Sequence, residues 1–347
     1  MIARRLLGPL VAIGIFFGCG ELLARSLHVV DRLNGYAGLL FAPGPDADLP
    51  YVLRPGVQTR FFDTDVRVSA LGLRGPDVAP AAPPGVRRVV VLGDSVAFGQ
   101  GLPETETVSA RLAGALDAEG SGRWEVVNAG VPGYDTTAEA QLLARLRPEL
   151  HPDVVVVVFS LNDYDIAPIY SPIGILTQRG LDDRTPRWYD RSAFVVLLRW
   201  LFGWTHGSLL YQIAERAHAS PEPGARNAGI EQLVERLHRD FYREPVPRQW
   251  DRMRAAFVAL ERAAAGCRLI VAIAPEAFQV ERPDPDLTPQ RRVLALCRET
   301  GLTCVDLHPA FAAAGGALFL DTQHPNARGH DVMAKAIAAA LREGAAS

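Results

Sequence analysis

Four short stretches of this chain carry side chains that could act together on an acyl group. They are Gly93-Asp94-Ser95, "NAGVPGY" from Asn128, "SLNDY" from Ser160 and "LFLDTQHPNARGH" from Leu318. A serine hydroxyl is a poor nucleophile until a base takes its proton, and histidine, with an unperturbed pKa of about 6.5, suits that task near neutrality. Ser95 supplies the hydroxyl and His324 the imidazole. Asp321, three residues before His324, is spaced to fix the ring's tautomer and stabilise the imidazolium. Charge developing on a substrate carbonyl oxygen needs donors fixed in advance, and the candidates are the Ser95 N–H, the Gly130 N–H and the Asn162 amide. Glycine at 130 lets backbone approach a ligand closely, because no Cβ intervenes.

These groups meet only if the elements carrying them end on one rim. From Arg88 onward a β-α alternation sets in, with strands expected at 88–93, 124–128, 153–159, 268–274 and 303–307. Each is a short apolar run of the kind that suits a strand covered on both faces. Thr136 and Glu139 read as a capping box, and a second helix opens at Thr288-Pro289 and closes at Gly301. Trp250, Met253, Phe257 and Leu260 form an apolar stripe at helical spacing that reads as core packing. Long connections between strands imply parallel pairing with right-handed crossovers. The expected fold is therefore α/β: a three-layer α/β/α doubly wound domain of flavodoxin-like type around a five-stranded parallel sheet. In such a sheet ligands bind beyond the carboxyl ends of the strands, where all four polar stretches fall.

Three segments depart from that rhythm. Residues 164–247 are too long for a plain loop between the third and fourth strands. They contain "SAFVVLLRWLFGW" and, after a break at "SPEPGAR", "IEQLVERLHRDFY", which predicts a helical insertion over one end of the sheet. Residues 31–86 are rich in Pro and Gly and read as an irregular lead-in and linker to a domain spanning 87–347. Residues 1–30 read as a targeting segment, because Arg4 and Arg5 precede an uncharged run from Leu6 to Gly20. That pattern predicts an N-terminal transmembrane anchor or signal helix, with the catalytic domain outside the cytoplasm; cleavage near Gly18-Cys19-Gly20 would release it as a secreted protein. The alternative is a buried N-terminal core helix.

Composition narrows the function classes. A net charge of −3 argues against a nucleic-acid partner. Cys19, Cys267, Cys297 and Cys304 have no zinc-ligand spacing. One disulfide is expected if the domain lies in an oxidising compartment, with Cys267–Cys304 as the pairing and buried free thiols as the equal alternative. Neither a metal nor an organic cofactor is expected: "GDSVAFG" lacks the dinucleotide-binding spacing, and a metallophosphoesterase would want an early Asp-x-His and late paired histidines. Nothing fixes an oligomeric state.

The four stretches in order, "GDS", "NAGVPGY", "LND" and "DTQHPNARGH", resemble the four blocks of the SGNH (GDSL-type) hydrolase family, over about Arg88 to Leu341. The upstream "VRVSALGLRGPD" resembles the lead-in of its membrane-anchored bacterial members. The resemblance implies a serine esterase or deacylase with Ser95 as nucleophile, His324 as base, Asp321 as its partner, and Ser95, Gly130 and Asn162 as oxyanion donors. The implied substrate is a small-molecule or glycan ester, an acylated carbohydrate or a lipid ester, met at the outer face of a membrane. Val96 stands where the family name has Leu, and Ser160 replaces a common Gly. The alternative is an O-acyltransferase modifying an extracellular glycan, although relatives of the alginate-acetylating type carry the Asp-His pair before the serine and here it follows.

Blander roles remain for the neighbours. Asp94, Asp163, Asp306, His308 and His330 read as loop or strand-end hydrogen bonders, and His28, His151, His206, His218 and His238 show no partner spacing. Ser95 as a mere helix cap is the competing reading for "GDS" taken alone.

Overall fold

The computed structural model describes residues 2–27, 29, 40–45, 49, 51–62, 64–118, 123–163, 192–201, 228–245 and 247–343. Helix α1 (Ile2–Ser26) is followed by two antiparallel hairpins, β1 (Phe41–Pro43) with β2 (Tyr51–Leu53) and β3 (Gln58–Phe61) with β4 (Thr64–Arg67). The alternating part then runs β5 (Val86–Gly93), α2 (Ser95–Phe98), α3 (Val108–Ala118), β6 (Arg123–Asn128), α4 (Thr136–Leu150) and β7 (Val154–Phe159). Within the insertion lie α5 (Ala193–Leu201) and α6 (Ala228–Arg243), and α7 (Pro247–Ala263) leads out of it. The chain closes with β8 (Arg268–Ile273), α8 (Ala277–Glu281), α9 (Thr288–Thr300), β9 (Thr303–Asp306), α10 (His308–Ala314) and α11 (Ala327–Glu343).

The sheet order is β6-β5-β7-β8-β9, and every pairing is parallel. Its strands match the expected five to within two residues at each end. Successive side chains of a strand face opposite sides, and the core divides accordingly. Val90, Leu92, Val155, Val157 and Phe159 pack with α4, α7 and α9, whereas Val89, Val91, Val154, Val156 and Val158 pack with α3, α10 and α11. All of β7, "VVVVVF", is buried, as a β-branched run covered on both faces should be. The expected stripe on α7 packs inward, with Met253, Phe257 and Leu260 buried and Trp250 packed beside them.

Four expectations need correction. The segment 31–86 is no plain linker: Phe41, Tyr51, Leu53, Phe61, Val66, Val68 and Leu73 are buried in the same core as α4 and α7. Alternation in "DTDVRVS" put enough apolar surface on one face of the β3–β4 hairpin to dock it. The capping box at Thr136 and Glu139 does not form, because the helix starts earlier. Asp135 is its cap, accepting the Ala138 N–H at 2.9 Å, and Glu139 turns inward to full burial with neither carboxyl oxygen hydrogen-bonded. The disulfide joins Cys297 to Cys304 instead of Cys267 to Cys304. The turn at Gly301 folds β9 back beside α9 and brings those two Cα atoms to 6.1 Å, while the Cys267 thiol donates to the Pro152 carbonyl.

The fourth correction concerns α1. Among the described residues no helix is long and apolar enough to cross a membrane, so the expected transmembrane helix finds no support. The only acidic residue of α1, Glu21, is committed to a protein contact. It accepts from the Ser192 hydroxyl at 2.7 Å and from the Ala193 and Phe194 N–H groups at 3.1 and 2.9 Å, capping α5. Its slight burial opposes ionisation, but these donors hold the carboxyl at about 2. Both helices expected in the insertion are present in the residues described, and the break at "SPEPGAR" lies outside them.

Candidate active site

Sheet order reverses at β5, whose flanking strands β6 and β7 lie on opposite sides, and the crevice beyond their carboxyl ends is the expected ligand site. Ser95 follows β5 directly, on the first turn of α2. Gly93 makes that placement possible. Its φ of 144° is a glycine conformation, and a Cβ there would sit 2.5 Å from the Ala97 Cβ and 2.7 Å from the Val158 carbonyl oxygen. Asp94 caps α2 by accepting the Val96 N–H at 2.8 Å, and the same oxygen accepts the Ser160 hydroxyl at 2.8 Å. The residue that departs from the usual glycine thus ties the Asn162 loop to the turn bearing Ser95.

Across the crevice the loop between α10 and α11 brings in the imidazole. His324 Nε2 lies 2.8 Å from Ser95 Oγ, and His324 Nδ1 lies 2.7 Å from Asp321 Oδ2. The other Asp321 oxygen accepts the Gln323 and His324 N–H groups, both at 2.8 Å. Burial alone would raise the Asp321 carboxyl. The facing His324 and the two backbone donors outweigh that and hold it below the ordinary carboxylate range. An ionised Asp321 accepts only, so Nδ1 carries the ring proton and Nε2 is left to accept from the Ser95 hydroxyl.

The donor side differs from expectation at one position. The Gly130 N–H donates to Asn128 Oδ1 at 3.0 Å, so it is not available to a substrate oxygen. Glycine is required there for packing: a Cβ would lie 2.3 Å from the Phe98 nitrogen, under α2. Gly133, at φ 80° in the same loop, has an N–H that donates to no group in the described structure. Asn162 sits beside Asp94, to which its amide hydrogen-bonds, and its Oδ1 is buried without a partner. An amide nitrogen carries two protons, so one remains for a ligand.

Two residues that the sequence did not single out as site residues hold this arrangement. Arg74, only 4% exposed, donates to the carbonyls of Phe98 and Gly99 at 2.5 and 2.8 Å and of Leu102 at 2.5 Å, with its guanidinium 4.4 Å from the Phe98 ring centroid. Burial, only partly offset by the negative charge of Glu104, lowers its pKa to about 10. Asn128 Nδ2 donates to the carbonyls of Ala97 and Phe98. Together they satisfy the carbonyls at the end of the helix that bears Ser95, groups that cannot be left unpaired in a dry interior. "VRVSALGLRGPD" was the only sequence signal for Arg74.

The neighbours behave as braces. Asp163 accepts the Thr136 hydroxyl at 3.0 Å, Asp306 accepts the His308 N–H at 2.9 Å, and His308 Nε2 lies 2.9 Å from the Gln279 carbonyl. Burial pushes Asp94, Glu139 and Asp163 upward, and the nearby carboxylates of Asp94 and Asp135 add to it for Glu139 and Asp163. His238 does have a partner, Glu276, which sequence spacing could not show across 38 residues. His28, His206 and His218 lie outside the described residues. Among the described residues no group of three or more His, Cys, Asp or Glu could hold a metal ion.

A hydroxyl, an imidazole and a carboxylate in hydrogen-bonded series, at the strand ends of a doubly wound α/β/α sheet, define a serine-hydrolase type of site. Residues 91–332 of 347 match the GDSL-like Lipase/Acylhydrolase family. The chain belongs to that family and is an ester-bond hydrolase of the SGNH type. A search of curated protein sequences finds no significant match. Among solved structures, TesA aligns with a TM-score of 0.42 at 14% identity, over 74% of this chain and 99% of its own. A variant of Axe2, an acetyl-xylooligosaccharide esterase from Geobacillus stearothermophilus, aligns with a TM-score of 0.39 at 18% identity, over 74% of this chain and 93% of its own. LAE5, an α/β hydrolase enzyme from the metagenome of Lake Arreo, aligns with a TM-score of 0.39 at 19% identity, over 74% and 95%.

Proposed function

We propose that the chain is an extracytoplasmic esterase or deacylase working through an acyl-enzyme on Ser95, its substrate an acylated carbohydrate or a lipid ester. The observation that carries the mechanism is the unbroken series from Ser95 Oγ to His324 Nε2 at 2.8 Å and from His324 Nδ1 to Asp321 at 2.7 Å. As Ser95 Oγ bonds to the ester carbonyl carbon, its proton passes to His324 Nε2, and Asp321 stabilises the imidazolium. Negative charge on the carbonyl oxygen meets the Ser95 N–H, the Asn162 amide and the Gly133 N–H in place of Gly130. Collapse expels the alcohol, which takes the proton from His324. A water then gives its proton to His324, attacks the acyl carbon, and the acid leaves as Ser95 regains its hydrogen.

Location outside the cytoplasm is supported by the Cys297–Cys304 disulfide, a bond that persists in oxidising compartments, and by Arg4 and Arg5 ahead of the uncharged run. Attachment to a membrane surface through α1 is supported by its exposed Val11, Ile13, Ile15, Phe16, Phe17, Leu22 and Leu23. The test is labelling with a fluorophosphonate and peptide mapping, together with turnover of p-nitrophenyl esters of increasing chain length. Label on Ser95, acid released in water without any glycan acceptor, and loss of both in Ser95→Ala are expected. Undiminished turnover in Ser95→Ala overturns the mechanism, and product formed only when a sugar acceptor is supplied overturns hydrolysis in favour of acyl transfer.

A further inference from the structure

Helix α6 belongs to the insertion between β7 and β8, not to the alternating frame, yet it touches both halves of the site. His238 and Tyr242 stand four residues apart, on the same face of that helix. Both are buried, at 4% and 0% exposure. Toward one side, Tyr242 Oη–H donates to the Leu161 carbonyl at 3.1 Å, in the peptide unit that leads into Asn162. Toward the other, His238 Nδ1 lies 2.8 Å from Glu276 Oε2, just past the end of β8. The second Glu276 oxygen accepts from Gln323 Nε2 at 3.1 Å, and Gln323 is the residue before His324, its own N–H donating to Asp321. The Ala277 N–H adds a bond to the Thr322 carbonyl at 2.9 Å.

A buried carboxylate with an imidazole is not a cheap way to hold two elements together, since apolar residues of the same volume serve stability as well or better. What polar groups supply is fixed direction. Here they run from one helix face to two loops that must keep a set separation if Asn162 and His324 are to address the same carbonyl. Ion pairs from Arg282 to Glu235 at 2.6 Å and to Glu231 at 3.3 Å fix α6 along its length. We infer that His238 and Tyr242 are positioning residues for this hydrolase: one face of α6 sets the distance between the oxyanion loop and the base loop, Tyr242 acting through Asn162 and His238 through Glu276 and Gln323 on His324. The inference rests on the roles proposed above for Asn162 and His324.

Two variants probe it in the full chain, with p-nitrophenyl acetate as substrate. Tyr242→Phe keeps the ring and removes one hydrogen bond, and should lower kcat about fivefold with KM unchanged, the scale of one such bond. His238→Leu should lower kcat by about tenfold or more, while His238→Asn, which keeps a donor at the Nδ1 position, restores most of it. The discriminating measurement is a double-mutant cycle. Tyr242→Phe should add nothing in an Asn162→Ala background, whereas His238→Leu should still lower the rate there. Should His238→Leu fail to fold, Gln323→Leu, at a half-buried position, removes the same link and should give the same fall. Folded Tyr242→Phe and Gln323→Leu proteins with wild-type kcat, or a Tyr242→Phe effect that simply adds to Asn162→Ala, overturn the inference. Activity surviving in Ser95→Ala overturns instead the mechanism beneath it, so the two failures are told apart.

Discussion

The Ser95 hydroxyl is a useful nucleophile only while His324 Nε2 is free to accept its proton, and that depends on Asp321 staying ionised. With its carboxyl held below the usual range, Asp321 remains charged through the mildly acidic region. Asn162→Ala should reduce kcat by about 10²- to 10³-fold with little change in KM, the expected loss for one oxyanion donor, measured by steady-state kinetics on a short acyl ester. His330 makes a separate prediction about stability. Burial, then the positive charges of Arg74, His324 and Arg111, depress its pKa to about 3. An unfolded histidine titrates near 6.5, so between those values the unfolded chain binds the extra proton and stability falls as pH drops. The raised carboxyls Asp94, Glu139 and Asp163 act in the opposite sense, losing stability as pH rises, so the readout must be a difference. Urea midpoints of wild type and His330→Gln between pH 7 and pH 4.5 should converge toward acid, the wild type falling more steeply.

At the scale of elements, the lead-in hairpins do the work that the alternating frame cannot. Arg74, just beyond β4, holds the end of the nucleophile-bearing helix. Tyr51, on β2, donates to the Pro132 carbonyl at 2.9 Å, beside Gly133, and its own carbonyl accepts the Tyr134 hydroxyl. Arg74→Ala removes its hydrogen bonds to three buried carbonyls, of which Phe98 keeps Asn128 Nδ2 and Gly99 keeps the Leu102 N–H, and should cost on the order of 3 kcal/mol in denaturant unfolding. It should also slow turnover in the folded fraction. Arg74→Lys should recover little, because a single ammonium cannot reproduce the fork that meets three carbonyls at once. A fully active, fully stable Arg74→Ala protein would show the hairpin to be dispensable for the site.

For the whole molecule, the disulfide and the N-terminal helix bear on where the enzyme works. Cys297 and Cys304 stand seven positions apart, and closing so short a loop is worth about 2 kcal/mol by the chain-entropy argument. The double Cys297→Ser, Cys304→Ser protein should melt several degrees lower than the oxidised wild type, and a reductant should lower the wild type alone. A reporter that is active only in an oxidising compartment, fused after residue 343, should be active if the catalytic domain lies outside. An inactive fusion alongside a working cytoplasmic reporter would reverse the proposed location.

Local patterns were enough for the five strands, the parallel order and the four polar stretches at their ends, because burial on both faces and turn chemistry are written in contiguous residues. The pairing of Ser95 with Asp321 and His324 was legible too, Ser95 from its place just past β5 and the other two from their three-residue spacing on the loop that follows α10. What spacing could not decide was any contact made across the sheet by a residue outside that rhythm. Gly130 and Gly133 look alike in "NAGVPGY", and only packing under Phe98 commits the first N–H to Asn128. Arg74, Tyr51, His238 and Tyr242 reach their partners from segments that read as linker or insertion. Their roles depend on where chain dozens of residues away finally comes to rest, and side-chain type alone carries no record of that position.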